Sequence, residues 1–307
     1  MTRRTTDVDR AARVLADGGV VAFPTETVYG LGAVAHVADA VRRVFAIKGR
    51  PTDHPLIVHL ASADQLDAWA EPVPASARRL TDALWPGPLT VLVPRAGHVP
   101  DTVTGGRATV GLRVPSHPMA LALLAAVGDG VAAPSANRFG KVSPTTAEHV
   151  LADLGDDVDL VLDGGPCAVG LESTIVDCTL DPPVLLRPGG VPAEQLDDVL
   201  GAPVVRHDRG PSRAPGMLAS HYAPSCRVEL VASAVEASRR ATAWRGEGRR
   251  AVVHDPSGSL GDYARDLYGA LRRADLEGTD VLVVVTPPPT GLGLAINDRL
   301  RRAAQRD

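Results

Sequence analysis

Between residues 20 and 190 the chain runs through short apolar segments, each closed by a compact polar cluster, and several follow one another with no helical segment between them. VVAFPT, PLIVHLA, LTVLVP, TVGLRVP, VAAPSAN, LVLDGG, STIVDC and PVLLRPGG are each four to eight residues long and bounded by turn formers, the pattern of buried strands. A purely parallel sheet needs a crossover of a dozen or more residues between neighbours. Here several of these strands follow one another without a helical segment between them, so a mixed sheet is expected over residues 1–205.

Helices fill the remaining space. Val8, Ala12 and Leu15 share one face of a segment ending at Gly18-Gly19, and Val37, Val41, Val44 and Phe45 define a second helix that ends at Lys48. Ser62 with Gln65, and Thr145 with Glu148, read as capping boxes. HPMALALLAAVG reads as a buried helix, and another is expected from Pro192 to Leu200.

From Arg206 to Pro224 the periodicity stops. RHDRGPSRAPGMLASHYAP has the composition of a linker, assigned to residues 206–225. Beyond it CRVELVA, RRAVVHD and DVLVVVTP alternate strictly with helical segments, the last being GLAINDRLRRAAQ. Residues 226–307 are therefore expected to form a small, doubly wound, parallel, Rossmann-like α/β domain. No GxGxxG follows its first strand, so no nucleotide site is assigned there.

Composition narrows the function classes. No apolar run approaches the roughly 18 residues of a membrane span, and the N-terminus MTRRTTDVDR has no apolar signal core. Three scattered cysteines, none in a CxxC pair, argue for a reducing compartment, and the cytoplasm is the expected location. With a net charge of −4 and 3% aromatic residues, neither a general polyanion binder nor a base-stacking surface is indicated. A local basic cleft is compatible with both figures, and a non-catalytic RNA-binding module with a basic concave face is the alternative reading. Basic residues are almost all arginine; the only lysines are Lys48 and Lys141, both in motif-like loops.

Five polar clusters lie at the ends of predicted elements, where α/β folds place ligands. Lys48-Gly49-Arg50 is either a cationic cap on helix carbonyls or a phosphate clamp. The residues Thr25, Glu26, Thr27 and Tyr29 either finish a strand or orient a polar ligand, with Gly30 and Gly32 suggesting a tight exposed turn. Arg113, in an apolar strand, requires an anionic partner, which is either a structural carboxylate or that of a ligand. Ser135 and Asn137 suit either an ordinary loop or phosphate and ribose oxygens, and Arg187 before Pro188-Gly189 presents a similar choice. His59 is either a core histidine or a catalyst. No GxSxG, HExxH or Walker loop occurs, so the chemistry rests on positioning and charge stabilisation.

In this order PTETVYGLG, KGRP with HPLIVHL, LWPGPLTVLVP, TVGLRVP, PSANRFGKVSPTTAEHV, ESTIVD and LLRPGG resemble the YrdC-type threonylcarbamoyl-AMP synthases. PGMLASHYAP and GLGLAINDRLRRAA are similar to the long form with an additional C-terminal α/β domain. The resemblance implies an open, twisted α/β domain that joins L-threonine, bicarbonate and ATP (with Mg2+) into threonylcarbamoyl-AMP, releasing pyrophosphate. The product would pass to a separate tRNA threonylcarbamoyl transferase complex that modifies adenosine next to the anticodon, without stable tRNA binding by this chain. By motif, the resemblance puts Lys48, Arg50, Ser135, Asn137 and Arg187 at the nucleotide, with Lys48 and Arg50 catalytic. It puts Thr27, Tyr29, His59, Arg113 and Ser173 around threonine, and Tyr222 on a linker over the site. Phe139, where the family more often has serine, and Leu218-Ala219-Ser220 in the linker depart from its pattern.

Overall fold

The computed structural model describes residues 3–206, 223–256 and 258–305. The strands are β1 (Arg4–Thr5), β2 (Val21–Phe23), β3 (Gly30–Val34), β4 (Ile57–His59), β5 (Leu89–Pro94), β6 (Thr109–Arg113), β7 (Val131–Ala132), β8 (Leu160–Leu162), β9 (Thr174–Asp177), β10 (Val184–Arg187), β11 (Val205–Arg206), β12 (Arg227–Val231), β13 (Ala251–His254) and β14 (Val281–Val285). The first eleven form one sheet in the order β1-β8-β2-β3-β7-β4-β6-β5-β9-β10-β11. It is mixed: β2/β3, β5/β6 and β9/β10 are antiparallel, whereas β4/β6 and β5/β9 are parallel.

Period-two alternation divides this sheet into two faces. Val20, Ala22, Leu31, Ala33, Val58, Leu112, Val176 and Leu185 enter the main core, which the helices Ala38–Lys48, Ala75–Leu84, Ala147–Leu154 and Ala193–Leu200 help to fill. On the opposite face Val21, Phe23, Val131 and Leu160 pack with the helices Val8–Ala16 and Pro118–Val127. Farther along the sheet, Ile57, Leu92, Ile175, Val184 and Leu186 form a separate small apolar cluster.

Two local expectations are corrected. Gly30 and Gly32 lie in a buried strand, not an exposed turn. A Cβ on Gly32 would stand 2.7 Å from both the Phe23 ring and Val131, so the glycine serves close packing. The helix Ala147–Leu154 is capped by Thr146, whose side chain accepts from the His149 amide; Thr145 is one residue too early.

Strands β12–β14 form the second sheet, all parallel, in the order β12-β14-β13. This unit docks on the first through helices Leu260–Leu276 and Leu292–Ala304. Tyr263, Leu267, Tyr268, Leu271, Ile296 and Leu300 share a core with Val28, Val142 and Leu171. At its edge Arg272 forms a 2.6 Å ion pair with Asp153. No helix among the described residues is long and apolar enough to cross a membrane.

Candidate active site

The cleft gathers side chains from chain segments far apart in sequence: Thr25, Thr27 and Val28 between β2 and β3, Arg50, His59 and Arg113, Ser135, and Glu172, Ser173 and Arg187. It encloses about 550 Å3, counting the space that opens to solvent. Strand parity explains much of this convergence. Val58 and Leu112 point into the main core, so His59 and Arg113, which are register partners, point to the other face. Ser173 follows from Val176 in the same way. Simple alternation would send Arg187 into the core with Leu185, but the register shifts between these residues and pairs Arg187 with Ile175. The irregularity re-aims the arginine into the cleft.

Arg113 is almost fully buried, and its Nη2 stands 2.7 Å from Oε1 of the equally buried Glu26, while Nε donates to the Gly87 carbonyl at 3.3 Å. A structural carboxylate is thus present, and the guanidinium also reaches the cleft wall. His59 lies beside it, 3% exposed, with Nδ1 lacking a hydrogen-bond partner. Burial, reinforced by the Arg113 charge, lowers its pKa to about 3, so the imidazole is neutral at ordinary pH. Thr25 Oγ1 organises the neighbouring loop by donating to the Val28 carbonyl at 2.6 Å and lying 2.8 Å from Thr27 Oγ1.

Arg187 grips the opposite wall. Its Nε and Nη2 donate to the Ser173 carbonyl at 3.1 and 2.8 Å, and Nη2 also to Ser173 Oγ at 3.0 Å. Ser173 Oγ is 2.8 Å from Thr90 Oγ1. Arg50 Nη2 donates to the Pro55 carbonyl at 3.0 Å, and its guanidinium lies 5.9 Å from the Phe139 ring centroid, a cation–π distance. Phe139 therefore packs against a cleft arginine.

Three expected site residues sit behind the wall instead of on it. Lys48, 3% exposed, donates from Nζ to the carbonyls of Ser135 and Asn137 at 2.7 and 2.5 Å. Burial first, then the nearby Arg50, brings its pKa well below the ordinary lysine value. Its amino group caps the Ser135–Asn137 loop, not the carbonyls of its own helix, which ends on the left-handed Gly49. Asn137 spans that same loop, its Nδ2 donating to the carbonyls of Arg138 at 2.9 Å and Lys141 at 2.7 Å. Tyr29 shares the parity of Leu31 and Ala33, and so turns into the main core, away from the cleft. Its hydroxyl donates to the Gly165 carbonyl at 2.8 Å. Tyr222 lies outside the described residues.

Sequence reasoning passed over Glu172, a buried acid among the residues that line the cleft. It accepts from Ser143 at 2.7 Å and from two groups of the C-terminal unit, the Tyr268 hydroxyl at 2.8 Å and Arg299 Nε at 2.7 Å. Burial raises its pKa, but the Arg299 and Arg187 charges and these hydrogen bonds outweigh that and bring it to about 2. The only signal was an acid placed directly before an apolar strand. Burial pushes the Cys167 and Cys178 thiols up to about 12, so neither offers a thiolate.

An open mixed α/β sheet with a cleft lined by Arg50, Arg113 and Arg187, joined to a small parallel domain, defines the class: an α/β protein with a site suited to anionic ligands. Residues 13–189 match the Sua5_yciO_yrdC family, described as "Telomere recombination", and residues 191–305 match "Threonylcarbamoyl-AMP synthase, C-terminal domain". Curated relatives named threonylcarbamoyl-AMP synthase occur in Pyrococcus abyssi (43% identity, 96% of this chain, 93% of the relative) and Bacillus subtilis (41%, 97% and 92%). The solved structure of P. abyssi Sua5 complexed with L-threonine superposes with a TM-score of 0.92 at 40% identity, covering 98% of this chain and 96% of that one. The chain belongs to the threonylcarbamoyl-AMP synthase family, in its two-domain form.

Proposed function

We propose that this chain makes threonylcarbamoyl-AMP and pyrophosphate from L-threonine, bicarbonate and ATP. The observation that carries the reading is the meeting of three buried arginines, Arg50, Arg113 and Arg187, in one cleft that is also lined by hydroxyls. Carboxylate, carbamate and triphosphate are all anionic, and their approach requires fixed positive charge in a site sheltered from water.

In this reading Arg113, its plane fixed by Glu26, faces the threonine carboxylate. His59, neutral, and Thr27 lie beside it, and Ser173 stands between the two substrates. Arg50 and Arg187 face the phosphates with Ser135. Lys48 and Asn137 hold the Ser135 loop in shape, and Tyr29 supports the wall from the core. The threonine amino group loses a proton and adds to the carbon of bicarbonate, with loss of water, giving a carbamate. A carbamate oxygen then bonds to the α-phosphorus of ATP as the bond to the β-phosphate oxygen breaks, and pyrophosphate leaves. The protein contributes alignment and charge neutralisation to both steps.

The two carboxylates near the cleft, Glu26 and Glu172, are each already set against an arginine, and no cluster of three acidic, histidine or cysteine side chains suited to a metal occurs among the described residues. These residues do not fit a resident ion. Mg2+ belongs with the substrate, arriving on ATP and leaving with pyrophosphate.

Residues 1–205 are taken as the catalytic domain, 206–225 as a linker whose Tyr222 closes over the nucleotide, and 226–307 as the C-terminal domain. A cytoplasmic location and transfer of the product to a tRNA threonylcarbamoyl transferase complex complete the proposal. The test is pyrophosphate release from ATP with and without L-threonine and bicarbonate. Release that requires both is expected; release that ignores threonine would sink the reading.

A further inference from the structure

The two domains meet at an ion pair as well as at an apolar contact, and that ion pair reaches the cleft wall. Arg299, on the helix Leu292–Ala304, is 0% exposed. A buried arginine gives up its hydration, and an apolar side chain of similar volume would close such an interface as well or better. Its position therefore calls for an explanation beyond docking. Its Nε donates to Glu172 Oε2 at 2.7 Å, while Tyr268 on the helix Leu260–Leu276 lies 2.8 Å from Oε2 and 2.9 Å from Oε1. Ser143, from the catalytic domain itself, donates to Oε1 at 2.7 Å.

Glu172 is fastened just as closely to the phosphate side of the cleft. Its carbonyl accepts from the Gly190 amide at 3.0 Å, and Gly189 sits so close to the 172–174 backbone that any side chain there would collide with it. The next residue, Ser173, receives three hydrogen bonds from Arg187. Arg187 also acts on the Glu172 charge, second only to Arg299 among the cations.

We infer that Tyr268 and Arg299 are positioning residues for the nucleotide side of the active site: Arg299 neutralises Glu172 from behind and Tyr268 hydrogen-bonds it there, so that Arg187 keeps its charge directed at the cleft. The inference rests on the reading of Arg187 as a phosphate contact. Without Arg299 the buried carboxylate has two ways to be compensated, by a proton or by Arg187, and the second withdraws the arginine from ATP. Threonine, on the Arg113 side, is spared. The groups facing Glu172 are Arg299 and Tyr268 from the C-terminal helices, Arg187 from β10 and Ser143 from the loop before the helix Ala147–Leu154. Asp298 shares Arg299, and Arg50, Arg113 with Glu26, and His59 lie along the same cleft.

The test measures binding of a non-hydrolysable ATP analogue, and KM for ATP and threonine, in the full-length protein across mildly acidic to mildly alkaline pH. Arg299→Met is expected to weaken analogue binding about tenfold near neutral pH, the worth of one charge-assisted contact, with little change in the threonine KM. That loss should shrink on acidification, as Glu172 takes a proton and releases Arg187. Arg299→Lys should retain most of the affinity, and Glu172→Gln combined with Arg299→Met should abolish the pH dependence. Arg272→Met removes another interdomain ion pair, with Asp153, and is expected to leave ATP affinity unchanged. If Arg299→Met does not fold, Tyr268→Phe should show a smaller loss with the same pH dependence. Equal losses in Arg299→Met and Arg272→Met, or a loss that ignores pH, would overturn the inference. The functional reading fails separately: pyrophosphate release indifferent to threonine would reject it, while analogue binding would still decide the role of Arg299.

Discussion

The neutral imidazole of His59 makes the stability of the catalytic domain depend on acid in a way that can be calculated. In the folded protein burial and the Arg113 charge hold its pKa at about 3, against 6.5 in an unperturbed histidine. When the pH falls through 6.5, the unfolded chain takes up a proton at this position and the folded chain does not. Its stabilising contribution is therefore complete above that pH and is lost progressively towards about 3. Each pH unit in the window is worth about 1.4 kcal/mol, so acidification from pH 7 to pH 5 removes about 2 kcal/mol on account of this residue. Glu172 works in the same direction, but only below its ordinary value of 4.5, so the window separates the two. Urea unfolding of wild type and His59→Leu at both pH values measures the effect. A Trp244→Phe background confines tryptophan emission to Trp69 and Trp85 in the catalytic domain. His59→Leu should lose about 2 kcal/mol less than wild type on acidification, because other titrating groups cancel in the comparison. Equal losses in the two proteins would refute the placement of His59 as a buried neutral group.

Lys48→Met should cost about 1–3 kcal/mol in chemical denaturation, since the buried carbonyls of Ser135 and Asn137 lose their amino donor. It should also impair ATP use at every threonine concentration, as measured by pyrophosphate release; rescue by excess threonine would contradict that assignment. Arg113→Ala should mainly raise the threonine KM, and should destabilise the fold by about 3–5 kcal/mol because Glu26 is left buried without its partner. A predominant change in the ATP KM would reverse the division of the cleft.

Most of the architecture was legible because apolar runs separated by turn residues carry their own length and spacing. The mixed sheet and the parallel C-terminal unit followed from whether a helical pattern lay between successive strands. What sequence did not display was direction. Arg187 reaches the cleft because of a register irregularity between β9 and β10, and no residue in LLRPGG announces which strand it will pair with or where the pairing slips. Tyr29 was misdirected for a related reason: its motif is polar, but its parity belongs to Leu31 and Ala33. Gly30 and Gly32 read as a turn because glycine signals both freedom and close approach, and only the Phe23 ring across the strand decides between them. In sequence Lys48 reads as a nucleotide contact beside Ser135 and Asn137, and whether such a side chain meets a ligand or the loop that meets the ligand depends on depth, which the sequence does not display. Glu172 escaped notice because its partners, Tyr268 and Arg299, lie about a hundred residues away in another domain.

Among the described residues, the two outer strands of the large sheet, β1 and β11, span two residues each, and each carries an arginine, Arg4 and Arg206. Long, flat, apolar edges invite foreign chains to continue a sheet, and short charged edges deny them a template. An eleven-stranded sheet could otherwise seed aggregation at either margin. Among the described residues, the sequence at both margins of this sheet is thus charged and short, which discourages strand exchange between copies.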